Sequence, residues 1–398
     1  MNKPDQNSKP AFSGERVRLG DVCQIVSGAT PKTGNPEYWN GSIKWITPAE
    51  LSGNSHVVTD SAKHITDAGF ASANLKMLPI GTVLLTTRAP IGKVAITGSE
   101  MSCNQGFKNL ICSDLVYNEY LFRHLKFRAS DLQALGRGAT FKELSKRDVE
   151  NFEIVLPPKE RQNEAVEKLS HVEKAKEIAS LQITHLQSLV KSRFVEMFGD
   201  GRCFQKCKIG DLVCGIVSGT NVSGKQRPLG PDEFGVLKIS SVTKGVFDSS
   251  EFKVVSDPNS VRKMIYPRKG DLLFSRANTS EMIGATAIVD NDYDQLFLPD
   301  KLWRLDPSRN VDTIFLKQLL SSKQIRATLS KISTGTSGSM QNISMSKFRS
   351  VDAYLPPLPL QREFAAFAGR AAKLEFIAQQ QIEKLQTLYD SLAQEYFG

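Results

Sequence analysis

Cysteine and histidine are scarce here, with six and five residues among 398. The cysteines (Cys23, Cys103, Cys112, Cys203, Cys207, Cys214) are too sparse for a disulfide scaffold. Cys203 and Cys207 have metal-like spacing and Cys214 is close, but neither a histidine nor a second tight pair accompanies them, so zinc is not expected. His56, His64, His124, His171 and His185 are scattered, and no His-Glu-x-x-His occurs. No apolar run approaches the roughly 18 residues of a membrane span. The opening MNKPDQNSKPAFSGE is polar throughout and reads as a disordered tail, not a signal peptide. A cytoplasmic protein with reduced thiols and no membrane partner is expected. Nucleotide loops are missing as well: Gly92-Lys93 and Gly224-Lys225 lack both the upstream glycine and the following hydroxyl. Pro299-Asp300-x-x-Trp-Arg lacks the second acid and the lysine of a nuclease centre. Catalysis by this chain is not expected.

What the chain does have is itself, twice. LPPKERQNEAVEKLSHVEKAKEIASLQITHLQSLVKSRFVEMFG (Leu156 to Gly199) answers LPPLPLQREFAAFAGRAAKLEFIAQQQIEKLQTLYDSLAQEYFG (Leu355 to Gly398), ungapped at an offset of 199. Leu186, Gln187, Leu189, Ser192, Glu196, Phe198 and Gly199 recur identically within the last fourteen residues. The period is too long for a solenoid unit of roughly 20 to 50 residues. It describes a duplicated domain-plus-helix. Net charge is +9, and the halves share it: 25 Lys+Arg against 21 Asp+Glu in residues 1–199, 26 against 21 in 200–398. A shared excess suggests a common polyanion, with DNA the leading candidate, although a basic isoelectric point is also common among soluble proteins.

Ahead of each helix lies a block rich in short β-like runs and turn residues. VCQIVSG, SIKWIT, GTVLLTT, KVAITG and NFEIVL read as strands in the first block. GIVSG, EFGVLKISSV, GDLLFSR, ATAIVD and SVDAYLP do so in the second. YNEYLFRHLKFRASDLQAL and VDTIFLKQLLSSKQIRATLSKI read as amphipathic helices at matching places. The blocks echo each other at Leu19-Gly20-Asp21 and Ile209-Gly210-Asp211, and at Val26-Ser27-Gly28 and Val217-Ser218-Gly219, but diverge between. The expected class is α+β: a tail (1–15), two duplicated mixed α/β domains (16–158 and 200–357), and two long helices (159–199 and 358–398) forming an antiparallel coiled coil.

A heptad register gives those helices a seam. Ala165, Leu169, Val172, Lys176, Ala179, Ile183, Leu186, Val190, Arg193 and Met197 occupy a and d in the first copy. Their counterparts are Phe364, Ala368, Ala371, Glu375, Ala378, Ile382, Leu385, Tyr389, Leu392 and Tyr396. A helix over residues 160–198 would be ~58 Å long and could not bury such a stripe alone. Lys176 and Glu375 interrupt the seam at equivalent positions. They are expected either to meet near the crossing point and fix register, or to drift into solvent.

The binding candidates are loop residues. GATPKTGNPEYWNGSIKW carries Thr30, Lys32, Thr33, Lys44 and Trp45, where hydroxyls and lysines suit phosphates and the aromatics suit either loop core or base stacking. Arg88 and Arg276 each follow a strand ending in small polar residues, placed for groove contact or a structural ion pair. Lys93 and Asn278 stand in the turns after them. Asn104, Gln105 and Lys108 occupy a place comparable to that of Lys301, and Thr140 and Lys142 one comparable to that of Ser339 and Gln341. The divergent loop of the second block adds Thr220, Asn221, Lys225, Arg227 and Lys238. All are expected DNA contacts.

Taken together, the doubled L-P-P-x-x-x-Q entry to a long helix, the G-x-T-P-x-x-x-N-P-E-Y-W-x-G-x-I-x-W run at 28–45 and G-D-L-L-F-S-R-x-N-T at 270–279 resemble the specificity subunits of type I restriction–modification systems. Lys159-Glu160-Arg161 departs from the acidic-Gln approach usual in the family. The resemblance implies two target-recognition domains, each reading half of an asymmetric bipartite site in double-stranded DNA. It implies helices that set the spacer and dock two methyltransferase subunits, with restriction subunits joining the complex. Cofactors would sit on those partners: S-adenosylmethionine on the methyltransferase subunits, ATP and Mg on the restriction subunits, none on this chain. Half-sites about one helical turn apart (~34–36 Å) lie within reach of such a rod. The specificity chain of a type IIB-like system, a non-catalytic RNA-binding or interaction scaffold, and a cryptic nuclease or methyltransferase are the alternatives.

Overall fold

The computed structural model describes residues 14–398 apart from 89, 139–141, 258–260, 262 and 336–339. The chain divides into two compact units, Met1–Ser180 with Gln379–Gly398, and Leu181–Ala378. Elements of the first half are β1 (Glu15–Arg18), α1 (Leu19–Val22), β2 (Cys23–Ser27), β3 (Trp39–Ile46), β4 (Val57–Val58), β5 (His64–Ile65), α2 (Asp67–Ser72), β6 (Val83–Leu85), β7 (Val94–Thr97), β8 (Ser102–Cys103), β9 (Lys108–Cys112), α3 (Asn118–Phe127), α4 (Ala129–Leu135), α5 (Lys146–Glu150), β10 (Glu153–Leu156) and α6 (Lys159–Phe198). The second half continues with β11 (Gln205–Lys208), α7 (Ile209–Leu212), β12 (Val213–Ser218), β13 (Gly224–Lys225), β14 (Gly235–Leu237), β15 (Phe252–Val255), β16 (Leu272–Ser275), β17 (Ala277–Asn278), β18 (Thr286–Ile288), β19 (Leu296–Phe297), β20 (Leu302–Pro307), α8 (Thr313–Leu320), α9 (Lys323–Ile332), β21 (Gln341–Asn342), α10 (Met345–Arg349), β22 (Asp352–Leu355) and α11 (Leu358–Phe397).

One topology is built twice. The sheet order β2-β9-β6-β7, extended by β4, matches β12-β20-β16-β18. Each domain closes on an antiparallel pair, β1 with β10 and β11 with β22. Each also keeps a short parallel pair, β3 with β8 and β14 with β19. The doubled Val-Ser-Gly marks where β2 and β12 end against a neighbouring backbone. A Cβ at Gly28 would fall on the Asn104 carbonyl oxygen, and one at Gly219 on that of Leu298. Only glycine lets these chains approach so closely.

Four local expectations are corrected. Each amphipathic stretch forms two helices, broken at Arg128 and at Ser321–Ser322. At the second break the Ser322 hydroxyl accepts from the Ile325 N–H and starts a new helix. EFGVLKISSV is strand only to Leu237, after which Ile239–Val242 turns as a 3-10 helix. Glu15, expected in the tail, pairs with Leu156 in β1.

The two long helices start alike. Pro158 and Pro357 lack an N–H that a first turn would leave unpaired, and their carbonyls accept from Gln162 and Gln361. Both glutamines are fully buried. The Gln162 carbonyl accepts from Tyr117 N–H at 2.8 Å while its amide donates to Leu115 and Pro157 carbonyls, each at 2.9 Å. Gln361 repeats the pattern: it accepts from Asp312 N–H (2.9 Å) and donates to the Asn310 (3.1 Å) and Pro356 (2.8 Å) carbonyls. Tyr117 and Asp312 cap α3 and α8. One side chain thus ties the root of the rod to the helix packed under each sheet.

Within each unit the long helices pair antiparallel. In the first, Ala165 and Leu169 of α6 pack with Ala393, Tyr396 and Phe397 of α11, and with Tyr120 of α3. In the second, Phe194 and Phe198 pack with Phe364 and Phe315 in an aromatic cluster. Seam residues Leu169, Val172 and Ala179 are buried, and Ile183, Leu186, Val190, Ile382, Leu385 and Tyr389 half-buried. Lys176 and Glu375 take other partners than each other. Lys176 donates to Gln386 and lies over the Tyr389 ring, whereas Glu375 accepts from Gln187 at 3.3 Å. The register therefore pairs position 176 with 386, eleven residues beyond its own equivalent, so equivalence in sequence is not proximity here.

Gln162→Ala and Gln361→Ala each strand one buried N–H and two buried carbonyls. Each is expected to cost about 3–5 kcal/mol, read from urea midpoints, whereas Gln187→Ala on the exposed helix face stays within about 0.5 kcal/mol. Burial also pushes the His124 imidazole down to about 3, where its Nε2 accepts from Val155 N–H at 3.2 Å. Because the unfolded chain takes a proton near 6.5 and the folded one does not, stability is full above that pH. It falls by up to about 1.4 kcal/mol per unit as pH drops through the window from 6.5 towards 3. Melting curves between pH 7.5 and 5 should show the slope, and His124→Gln should flatten it.

Candidate nucleic-acid interface

In the first unit the loops at one end of the β2-β9-β6-β7 sheet converge. Thr30 donates its hydroxyl to Gln105. Thr87 N–H donates to the Gly106 carbonyl and Leu144 N–H to that of Thr87, so the loops after β2, β6, β8 and α4 meet. Arg88 lies 3.8 Å from Glu143. Burial pushes the Lys108 ammonium down; Glu143 opposes that shift and Arg88 adds to it. Thr30, Arg88, Asn104, Gln105, Lys108 and the exposed Lys142 thus share one rim, while Asn104 fixes its own turn by accepting from Gly106 N–H at 2.6 Å. Lys32 and Thr33 stand exposed on the neighbouring loop. Thr140 and Ser339 lie outside the described residues.

Other candidates are already engaged. Trp45 is 3% exposed, donates to the Ala29 carbonyl at 3.0 Å and meets Trp39 edge-on at 5.1 Å. It is a core residue of β3, packed with Ile65 and Leu75, and its face is closed to a base. Lys44 donates to Thr59 carbonyl (2.7 Å) and Ser99 Oγ (3.0 Å), and Lys93 to the Leu51 carbonyl. A cation the sequence did not single out is exposed Lys63, 5.9 Å over the Trp39 ring.

The second unit builds the matching rim differently. Arg276 Nε donates to the Asp300 carbonyl (2.9 Å) and Nη2 to its carboxylate (3.2 Å). Lys301 is half-buried and its carbonyl accepts from Arg276 N–H. Asn278 pairs with Gln341 across β17 and β21, and Gln341 accepts from Ser333 Oγ at 2.7 Å. Thr220 Oγ1 donates to Lys263 carbonyl at 2.8 Å. Arg227 forms a fork with Glu233 (2.6 and 2.5 Å), and Lys238 pairs with Glu251 at 2.7 Å. Asn221 and Lys225 are exposed. Lys253, missed in sequence, stands exposed on β15 beside β13; no counterpart in the first block pointed to it.

Register corrects one equivalence. Leu144 N–H donates to Thr87, and Ile343 N–H to Arg276; Thr87 N–H donates to Gly106, and Arg276 N–H to Lys301. Arg276 therefore answers Thr87, not Arg88. Along extended chain a one-residue offset sends the side chain to the opposite face, so the two arginines are not one repeated device. Among the described residues no group of three or more His, Cys, Asp or Glu could hold a metal ion. Among the described residues no helix is long and apolar enough to cross a membrane.

Comparison with known proteins agrees with this doubled architecture. The family model described as type I restriction modification DNA specificity domain matches residues 14–186 and again 204–387. The chain is similar to the type I restriction enzyme MjaIX specificity subunit of Methanocaldococcus jannaschii, 25% identical over 401 residues covering 94% of this chain and 90% of that one. It is 23% identical over 332 residues to the EcoKI specificity subunit of Escherichia coli K12, covering 75% and 70%. Among solved structures, the type I restriction–modification S subunit from M. genitalium matches with a TM-score of 0.56 at 13% identity, covering 100% of this chain and 98% of that one. A chain from a structural study of type I complex assembly and conformational transition matches with a TM-score of 0.61 at 19% identity, covering 98% of each. These structures share the fold.

The two rim arginines should separate in a stability measurement. Arg276→Ala removes both bonds to Asp300 and is expected to cost about 1–3 kcal/mol. Arg88→Ala, whose ion pair is open and partly exposed, should stay within about 0.5 kcal/mol. Equal losses in thermal or urea unfolding would contradict the assignment.

Proposed function

Because this chain belongs to the type I restriction–modification DNA specificity family and carries two target-recognition domains, we propose that each domain reads one half of a bipartite asymmetric site in double-stranded DNA. The observation that carries this reading is one sheet topology built twice, with different side chains on the same rim. In the first unit Thr30, Arg88, Gln105 and Lys142 reach the major groove or its phosphates; in the second Asn221, Lys225 and Asn278 do so. Charge excess in both halves supplies the non-specific attraction. The chain itself catalyses nothing.

The long helices space the domains and dock two methyltransferase subunits. Beyond the seam, each unit leaves apolar side chains of these helices in solvent. Ile178 and Leu388 are 48% and 47% exposed in the first; Leu189, Val195, Leu374 and Phe376 are 51%, 64%, 53% and 63% exposed in the second. Apolar surface of this kind suits protein partners. S-adenosylmethionine belongs to those subunits, and ATP and Mg to the restriction subunits that join them.

Methylome sequencing of a methylation-free host expressing the chain with its methyltransferase subunit tests the reading. The expected result is a new two-part motif with one methyladenine per strand, absent without this chain. A soluble complex that leaves the genome unmethylated would overturn it. Inserting about four residues into one long helix should lengthen the unread gap of that motif, and an unchanged gap would show that the helices do not set it.

A further inference from the structure

The second unit contains an open cavity of about 660 Å³ between α6, α8, α9 and the turn after Val242. Five cations line it, Lys191, Lys244, Lys317, Lys323 and Arg326, against one carboxylate, Glu375. Lys244 has Asp248 at 3.8 Å, but among the described residues no ion pair involves the other four cations. Arg326 spends one donor on the Glu281 carbonyl (2.6 Å), which leaves its charge uncompensated. Burial holds both Lys317 and Arg326 below their ordinary ranges, a cost that a bound anion would relieve. Ser322 caps α9 at the same wall, so the positive end of a ten-residue helix adds to the field.

The duplicated half is an internal control. At the offset of the long helices, Lys191 corresponds to Asp390 and Glu375 to Lys176. Aligned on the glutamine-bound caps Tyr117 and Asp312, Lys317 corresponds to Phe122 and Gln318 to Arg123. There Arg123 is 3% exposed, bonds Ser170 and Glu173 (each 2.8 Å) and also Glu119, while His56 stacks on Phe122 at 4.7 Å. The first unit thus pairs its buried cation here with two carboxylates. The cations that line the cavity of the second unit are therefore not a requirement of the shared fold.

We propose that this cavity binds an anion carrying consecutive phosphates, either a free polyphosphate such as a nucleoside triphosphate tail or the backbone of a bound nucleic acid. Convergence of several cations on one volume suits adjacent phosphates better than a single carboxylate. None of the rim residues named above lines this cavity.

Isothermal titration of the full chain with sodium tripolyphosphate tests the proposal. One saturable site per chain is expected, weakened about tenfold or more in the double variant Lys317→Gln/Arg326→Gln, largely retained in Lys317→Arg and tightened in Glu375→Gln. Melting curves establish that each variant folds, and Glu375→Gln carries the test in the opposite direction should the double variant fail to fold. Duplex DNA titrated across a salt series separates the sources. A salt slope reduced by about 0.9 per lost phosphate contact in the double variant, with tripolyphosphate competing, assigns the backbone. An unchanged slope with lost tripolyphosphate binding assigns a free polyphosphate. No tripolyphosphate binding, or binding indifferent to both variants, overturns the proposal. Failure of the methylome experiment alone would leave the tripolyphosphate result standing, so the two readings fail separately.

Discussion

The architecture depends on a buried primary amide. Gln162 and Gln361 each satisfy the N–H that begins a domain helix, one carbonyl just before that helix and one at the root of a long helix, fully out of water. Such a group is costly if any partner moves, because its polar atoms have no solvent to fall back on. The clamp therefore makes the orientation of sheet to helix a single solution within each unit. The prolines before it start the helix at a defined residue, and the apolar faces around Tyr120 and Phe315 pack where that orientation places them.

Duplication separates scaffold from cargo. Whatever recurs at the same hydrogen-bonded position belongs to the scaffold: the glycines that meet a neighbouring carbonyl, the closing strand pairs, the glutamine clamp. Whatever changes between copies has been free to specialise. The rim is open around Arg88 and locked around Arg276, and the buried cation beside α3 is paired with carboxylates while the region beside α8 is basic. A recognition protein with two different half-sites needs this combination.

Much of this was legible because the repeat is ungapped. Both long helices run 40 residues at the same offset, and heptad periodicity marks side chains that are buried or half-buried. Two corrections have a shared cause. Arg88 was set beside Arg276, and a meeting of Lys176 with Glu375 was one of two alternatives, from similarity along the chain. A strand reverses its faces every residue, and an antiparallel pair matches a position with one far from its own copy. Trp45 is a third case: an aromatic after a turn-rich stretch reads the same whether it faces a base or, as here in β3, packs in the core and donates to the Ala29 carbonyl.

The sequence by itself determined the duplication, the α+β class, the long antiparallel helices and the family, because each is written in periodicity, spacing or local motif. Tertiary structure alone decided which basic side chains are free. Arg227, Lys238 and Arg276 are neutralised by acids 6, 13 and 24 residues away, whereas Lys317 and Arg326 converge on a cavity with one carboxylate. Charge on a residue is local information. Its compensation depends on which distant chains the fold brings within a few ångströms, and Coulomb energy falls too steeply in water for anything farther to count.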